Sequence, residues 1–226
     1  MLQEGTTSRS SLQIAEEFEF MGSQLSSATG RERTALNAET LSRHWPNALE
    51  IIADLVRNPT FPDEELTRIR TERLTAQRRI RDDPTALAGR VSSPLLYGSD
   101  TPYGHPLGGT EISLQAISRD DLARHLRGSF GPESATLVVV GDVSLEDAVK
   151  RAEESLGSWE NPNAVDADVD EAHASPAANS SKMYLLDKPG AAQSVIRAGF
   201  VSVPRSHPDY YALTLLNQLC HSNQER

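Results

Sequence analysis

Apolar residues recur at helical spacing in several stretches of the chain. Leu12, Ala15, Phe18 and Met21 stand three residues apart, with Ser10 able to cap and Gly22 able to end, so a helix is predicted over residues 10–21. Trp45, Leu49, Ile52 and Val56 form a second stripe, with Pro46 near its start and Pro59 beyond its end. Asp63 can cap a longer helix towards Arg81, with Leu66, Ile69, Ala76 and Ile80 as its core stripe. Its other faces carry Arg68, Arg70, Arg73, Arg78, Arg79 and Arg81, a charge run that reads as a solvated face. Asp83-Pro84 opens a further helix through Leu87 and Val91. Ser118 and Asp121 pair as a capping box for a helix holding Leu122 and Leu126, and another helix is expected over residues 144–156.

Extended segments alternate with these helices. Residues 23–29 and 34–40 read as two strands joined by a turn at Gly30. The run Ala-Thr-Leu-Val-Val-Val at 135–140 is the clearest strand by composition. Residues 98–109 are a turn-rich loop. Residues 161–181 contain Pro162, Pro176 and four acidic residues without an apolar stripe, which is the composition of a linker. Two strand-like runs follow, 183–187 and 194–201, and then a helix over 208–219. This irregular order points to an α+β fold, a mainly antiparallel sheet packed with helices, rather than the strict alternation of a parallel sheet. The expected domains are 1–160, a linker over 161–181, and the start of a second, similar domain over 182–226, too short to build a core of its own.

Composition narrows the function classes. With 226 residues and 38% apolar content the chain can bury a core. The formal net charge of −10 and the absence of a basic patch argue against a nucleic-acid partner. A single cysteine, Cys220, excludes an internal disulfide and a thiolate metal cluster. No apolar run reaches membrane-spanning length, and the start has no basic-then-apolar leader pattern, so the chain as written is expected to be soluble and not exported.

The chemistry-bearing residues do not assemble in sequence. The histidines stand at 44, 105, 125, 173, 207 and 221, and no two can share a helix turn as a zinc-binding pair would. His105 reads as a turn residue, His125 as a packed or boundary residue of its helix, and His44 as capping or flanking a helix. No Gly-x-Ser-x-Gly nucleophile turn occurs, and Gly104–Gly109 follows no strand that would make it a phosphate cradle. Glu64, Glu65 and Glu72 read as helix-surface carboxylates. No residue is assigned a catalytic or metal-ligating role, and no substrate-binding residue is identified.

The ordered set of short motifs resembles one family. The stretch Leu2-Gln3-Glu4-Gly5-Thr6, the strand entry Gly22-Ser23-Gln24-Leu25, the loop Pro102-Tyr103-Gly104-His105-Pro106, the run 135–142 ending Gly141-Asp142, and Pro208-Asp209-Tyr210-Tyr211-Ala212-Leu213 are similar, in order, to pitrilysin/insulinase-type zinc peptidases. The resemblance implies an α+β fold repeated in pairs, with two halves closing over a chamber for peptides. In active halves an inverted zinc motif lies upstream of the Glu-Gly-Thr stretch, and a third ligand, a glutamate, lies on the helix before Asp-Asp-Pro. Placed by Asp82-Asp83-Pro84, that position holds Ala76 or Gln77, and Glu72 stands about a turn too early. The resemblance therefore implies an inactive-type half that binds no zinc itself. Zinc is expected in an active partner half, in the same full-length chain or a separate subunit, with peptide as substrate. Full-length relatives of this kind are often periplasmic or secreted. The alternatives are a structural or interaction module of the same fold and an independent active peptidase.

Overall fold

The computed structural model describes residues 1–99, 101–163 and 181–222, with side chains through Leu219. Its first compact unit joins Met1–Asp83 with Pro106–Ala172; the second joins Pro84–His105 with His173–Arg226. The linker read at 161–181 lies outside the described residues over 164–180.

In the first unit, helix α1 spans Ser11–Phe20. The Ser10 hydroxyl accepts from the Gln13 backbone N–H, and the Gln13 side chain accepts in return from the Ser10 N–H, closing a capping box. Gly22, at φ 64°, follows the last turn in the left-handed region that glycine occupies without strain. The buried face is Ile14, Phe18 and Met21: Phe18 and Met21 belong to the expected stripe, whereas its Leu12, 64% exposed, and Ala15 give way to Ile14. A three-residue repeat drifts about 60° per step around a helix of 3.6 residues per turn, whereas Ile14, Phe18 and Met21 keep to one side.

Strands β1 (Gln24–Thr29) and β2 (Thr34–Glu39) pair antiparallel, with Leu25 opposite Ala38 and Ser27 opposite Leu36. Gly30 donates to the Arg33 carbonyl at 2.8 Å across the turn. Leu25, Leu36 and Ala38 pack on the buried cluster of Ile14, Phe18, Met21, Ala48, Ile51 and Leu55. Those last three come from helix α2, Trp45–Arg57. Its core line is thus Ala48, Ile51 and Leu55, while the expected stripe is largely half-buried, only its Leu49 being fully covered. Each fully buried large side chain contributes roughly 1.5–3 kcal/mol.

After α2 the chain turns through Phe61, which is buried at φ 49°, a conformation that costs a bulky residue on the order of 1–3 kcal/mol. Helix α3 (Asp63–Asp82) follows. Its N-cap position is Pro62 and not Asp63, which is the first helical residue. Helices α5 (Glu111–Ala116), α6 (Arg119–Ser129) and α7 (Leu145–Leu156) complete the first unit. The expected Ser118–Asp121 capping box is present on α6, and a second box, Thr110 with Ser113, opens α5. Helix α7 packs against α2, and Arg57 donates to the Ser155 carbonyl at 2.9 Å.

The second unit holds helix α4 (Pro84–Tyr97), with Pro94 inside it, a one-turn 3₁₀ segment at Pro102–Gly104, and helix α8 (Tyr210–Ser222). The fold is α+β, helix-rich, with one small antiparallel sheet among the described residues. The runs 135–140, 183–187 and 194–201 were expected as strands but join no ladder among the described residues. A strand exists only by pairing, and β-propensity measures fit to a half-covered surface. Here Val138, Val140, Met183, Leu185 and Ile196 are 75–96% exposed.

Candidate functional site

The resemblance singles out the C-terminal half of α3. Beyond its first turn, the half-buried and buried positions of this helix are Leu66, Ile69, Arg70, Leu74, Gln77 and Ile80, which follow the period of one helix face. Gln77 is 6% exposed, and Ala76 is exposed. The expected core stripe is corrected at this point. Position 77 lies three turns from Leu66 and in phase with it, whereas position 76 is turned away.

The Gln77 amide is committed to the glycine-rich loop. Its Nε2 donates to the Gly108 carbonyl at 3.0 Å, and its Oε1 is buried without a hydrogen-bond partner. A Cβ on Gly108 would stand 3.1 Å from that Nε2, closer than most side-chain contacts allow. Two turns before, Arg70 donates from Nε to the Leu114 carbonyl at 3.0 Å and from its terminal nitrogen to the Ile117 carbonyl at 2.6 Å. Two polar side chains of α3 therefore hold the loop and the C-terminal end of α5.

The carboxylates of α3 face another way. Arg68 bridges Glu4, Glu65 and Glu72 at 2.6, 2.7 and 2.8 Å. Bonds to Glu65 and then Glu72 raise its guanidinium further above its ordinary value. Glu65 is lowered by the Ser11 hydroxyl first and by Arg68 second. Glu64 is exposed on the first turn.

The histidines stand apart. His44 sits at the α2 N-cap without a capping bond, and Arg43 donates to its Nε2 at 3.0 Å. His105 is exposed after the 3₁₀ turn. His125 is exposed rather than packed, and its ring meets Phe130 edge-on at 6.0 Å. His207 accepts from the Asp209 N–H at 3.2 Å. His173 and the side chains of Cys220 and His221 lie outside the described residues.

Zinc needs three or four convergent nitrogen, sulfur or carboxylate ligands. Among the described residues no three His, Cys, Asp or Glu side chains converge in that way. At the helix position where the resemblance implies a glutamate, the chain offers a methyl group or an amide already bonded to a carbonyl. These residues do not fit a zinc ion.

A denser polar network, for which no local pattern is a marker, lies between the start of the chain and α2. Arg9 contacts Glu17, Glu50 and Asp54 at 3.0, 3.4 and 2.9 Å. Asp54 also accepts from Ser8 at 2.6 Å, Thr6 at 2.7 Å and Asn58 at 2.9 Å. Partial burial pushes the Asp54 carboxyl up, but the bonds from Ser8, Thr6, Asn58 and Arg9 outweigh it and hold it at about 2. Both Asp54 oxygens and the Arg9 guanidinium are engaged within the chain, so the cluster fastens the Gly5–Ser10 turn onto α2.

Two family models match the chain: insulinase (peptidase family M16) over residues 1–95, and the peptidase M16 inactive domain over residues 116–222. The chain belongs to the insulinase (M16) peptidase family. It is 27% identical over 220 residues to "Uncharacterized zinc protease YmxG" of Bacillus subtilis, a match covering 97% of this chain and 51% of that protein. Among solved structures it is similar to a peptidase M16 inactive domain from Pseudomonas fluorescens, with a TM-score of 0.68 and 26% identity, over 73% of this chain and 40% of that one. The first half of the periplasmic protease PqqL from Escherichia coli shares the fold, with a TM-score of 0.63 at 17% identity, over 73% of this chain and 36% of that one. The chain thus spans about half the length of the Bacillus relative. No helix among its described residues is long and apolar enough to cross a membrane.

Proposed function

We propose that this M16 chain is the non-catalytic half of a two-half zinc endopeptidase, forming one wall of the chamber that holds extended peptide. The observation that carries this reading is the state of α3: Ala76 faces outward and Gln77 is bonded to the Gly108 carbonyl. A buried amide tied to a loop serves packing, and it cannot replace a charged carboxylate ligand. The zinc, the general base and the catalytic ligands belong to an active partner half, joined in one longer chain or supplied as a subunit. The division into a domain over 1–160 and the start of a second one from 182 is part of the same proposal, as is a periplasmic or secreted setting for the assembly.

The reading is tested with the dialysed chain. Metal analysis is expected to find well under one zinc per chain, and a quenched fluorescent peptide is expected to remain uncut. Adding a family half that carries the inverted zinc motif is expected to restore cleavage above that half's own rate. One tightly held zinc per chain, or cleavage by this chain alone, would overturn the proposal.

A further inference from the structure

A cleft of about 270 Å³ opens between α1 and α2, lined by Gln13, Glu16, Glu17, Phe20, Met21, Asn47 and Ile51. Its floor is apolar, because Met21 and Ile51 are 6% and 2% exposed. Phe20 stands at its side and is 87% exposed, an uncovered aromatic ring beside a buried core. Glu16 lies one helical turn before Phe20, so the carboxylate and the ring are neighbours on one helix face. The Glu16 side chain makes no ion pair or hydrogen bond among the described residues, whereas Glu17 is held by Arg9 at 3.0 Å. Asn47 adds an exposed amide from the first turn of α2.

The chemistry selects a visitor. A free carboxylate next to an accessible ring face, with an amide oxygen opposite, matches a planar guanidinium, which stacks on an aromatic ring while donating in its own plane. A purely apolar side chain would strip water from Glu16 without replacing it. A divalent cation would want more oxygen ligands than one free carboxylate and one amide supply. The surroundings favour a cation as well: α1 carries Glu16, Glu17 and Glu19 and no basic residue, and the nearby Arg9 is neutralised by Glu17, Glu50 and Asp54. We infer that the α1–α2 cleft is a receptor for an arginine side chain presented by an extended segment of a partner polypeptide. This inference does not depend on the role proposed for α3.

The test is photo-crosslinking at dilute protein with the peptide acetyl-Gly-Arg-benzoylphenylalanine-amide, the attachment sites being mapped by mass spectrometry. Attachment is expected within residues 13–21 and 47–51. The same peptide with neutral citrulline in place of arginine is expected to label about fivefold less, the scale of one exposed ion pair with its stacking contact. Glu16→Gln and Phe20→Ala, both at exposed positions, are each expected to cut labelling about threefold or more on the same grounds, with the circular dichroism unchanged. Equal labelling by the citrulline peptide, labelling spread over the surface, or indifference to Glu16→Gln would overturn the proposal. So would labelling that falls as protein concentration rises, because the cleft would then be filled by a second copy.

Discussion

The guanidinium of Arg9 and the carboxylate of Asp54 lie 2.9 Å apart and join the turn before α1 to the middle of α2, 45 residues away. Asp54 is held at about 2 in the folded chain, against an ordinary 3.8. A depressed carboxyl pKa adds stability that is complete above the unfolded value and is lost as pH falls through the folded value. This pair and its hydroxyl donors are therefore expected to contribute about 1–2 kcal/mol at neutral pH, after allowance for solvent screening, and to lose it between pH 4 and pH 2. Urea melts of the wild type and of Asp54→Asn should differ at pH 7 and converge at pH 2. A constant gap across that range would show that the carboxylate is not the source.

The buried amide of Gln77 calls for a graded pair of substitutions. Gln77→Leu removes the unpartnered Oε1 together with the bond to Gly108, whose carbonyl lies on an exposed residue and can turn to water. It is expected to change stability by no more than about 1 kcal/mol. Gln77→Glu buries a charge that cannot donate to the Gly108 carbonyl and is expected to cost about 3 kcal/mol. Chemical denaturation of the two variants measures both, and a stable Gln77→Glu chain would contradict the burial argued for this side chain.

Gly104 is fixed by close approach. A Cβ there would collide with the carbonyl oxygen of Gly98, and the Gly104 N–H is shared by the Thr101 hydroxyl and carbonyl. Gly104→Ala is expected to destabilise the second unit by about 1–3 kcal/mol through a forced backbone shift. Faster hydrogen exchange at the end of α4 is the corresponding readout, and unchanged protection would count against it.

The uncovered apolar runs predict how the isolated chain behaves. Met183, Leu185, Ile196 and Phe200 are 80–96% exposed, and Tyr211, Leu215, Leu216 and Leu219 of α8 are 55–70% exposed. Apolar surface of that extent is expected to drive self-association. Light scattering should show oligomers for the full 226 residues and a smaller species for a chain ending at Asn179. A clean monomer of the full length with a less soluble shortened form would show that these runs are covered within the chain.

The elements that were legible in sequence are those whose evidence is local. Ser10, Ser118 and Gly22 mark helix ends because a cap involves residues only a few positions apart, and the hairpin around Gly30 follows from a short turn. On α1 the expected Phe18 and Met21 are buried, but Leu12 and Ala15, apolar by type, lie outside the face that the three-dimensional core selects, and Ile14 takes their place. Gln77 was missed for the opposite reason, since a polar side chain on an inward position is visible only when the helix phase is taken from Leu66. The left-handed Phe61 and the Arg9–Asp54 link carried no local marker at all, being imposed by residues distant in sequence. At the candidate site the chain told more by what stands at a position than by any assembled motif: residues 73–81, which lead into Asp82-Asp83-Pro84, hold no carboxylate.

Arg70 reaches from α3 to the Leu114 carbonyl in the last turn of α5 and to the Ile117 carbonyl just after it, which bears on the order of events during folding. Helix α5 has six residues, far below the dozen or so at which an isolated helix becomes even marginal in water. The Leu114 and Ile117 carbonyls at its end find this donor only once α3 has formed and presented the guanidinium. Helix α5 is therefore a late element: in a pulsed hydrogen-exchange refolding experiment its amides should acquire protection after those of α3, and in Arg70→Ala they should lag further while α3 itself keeps its pace.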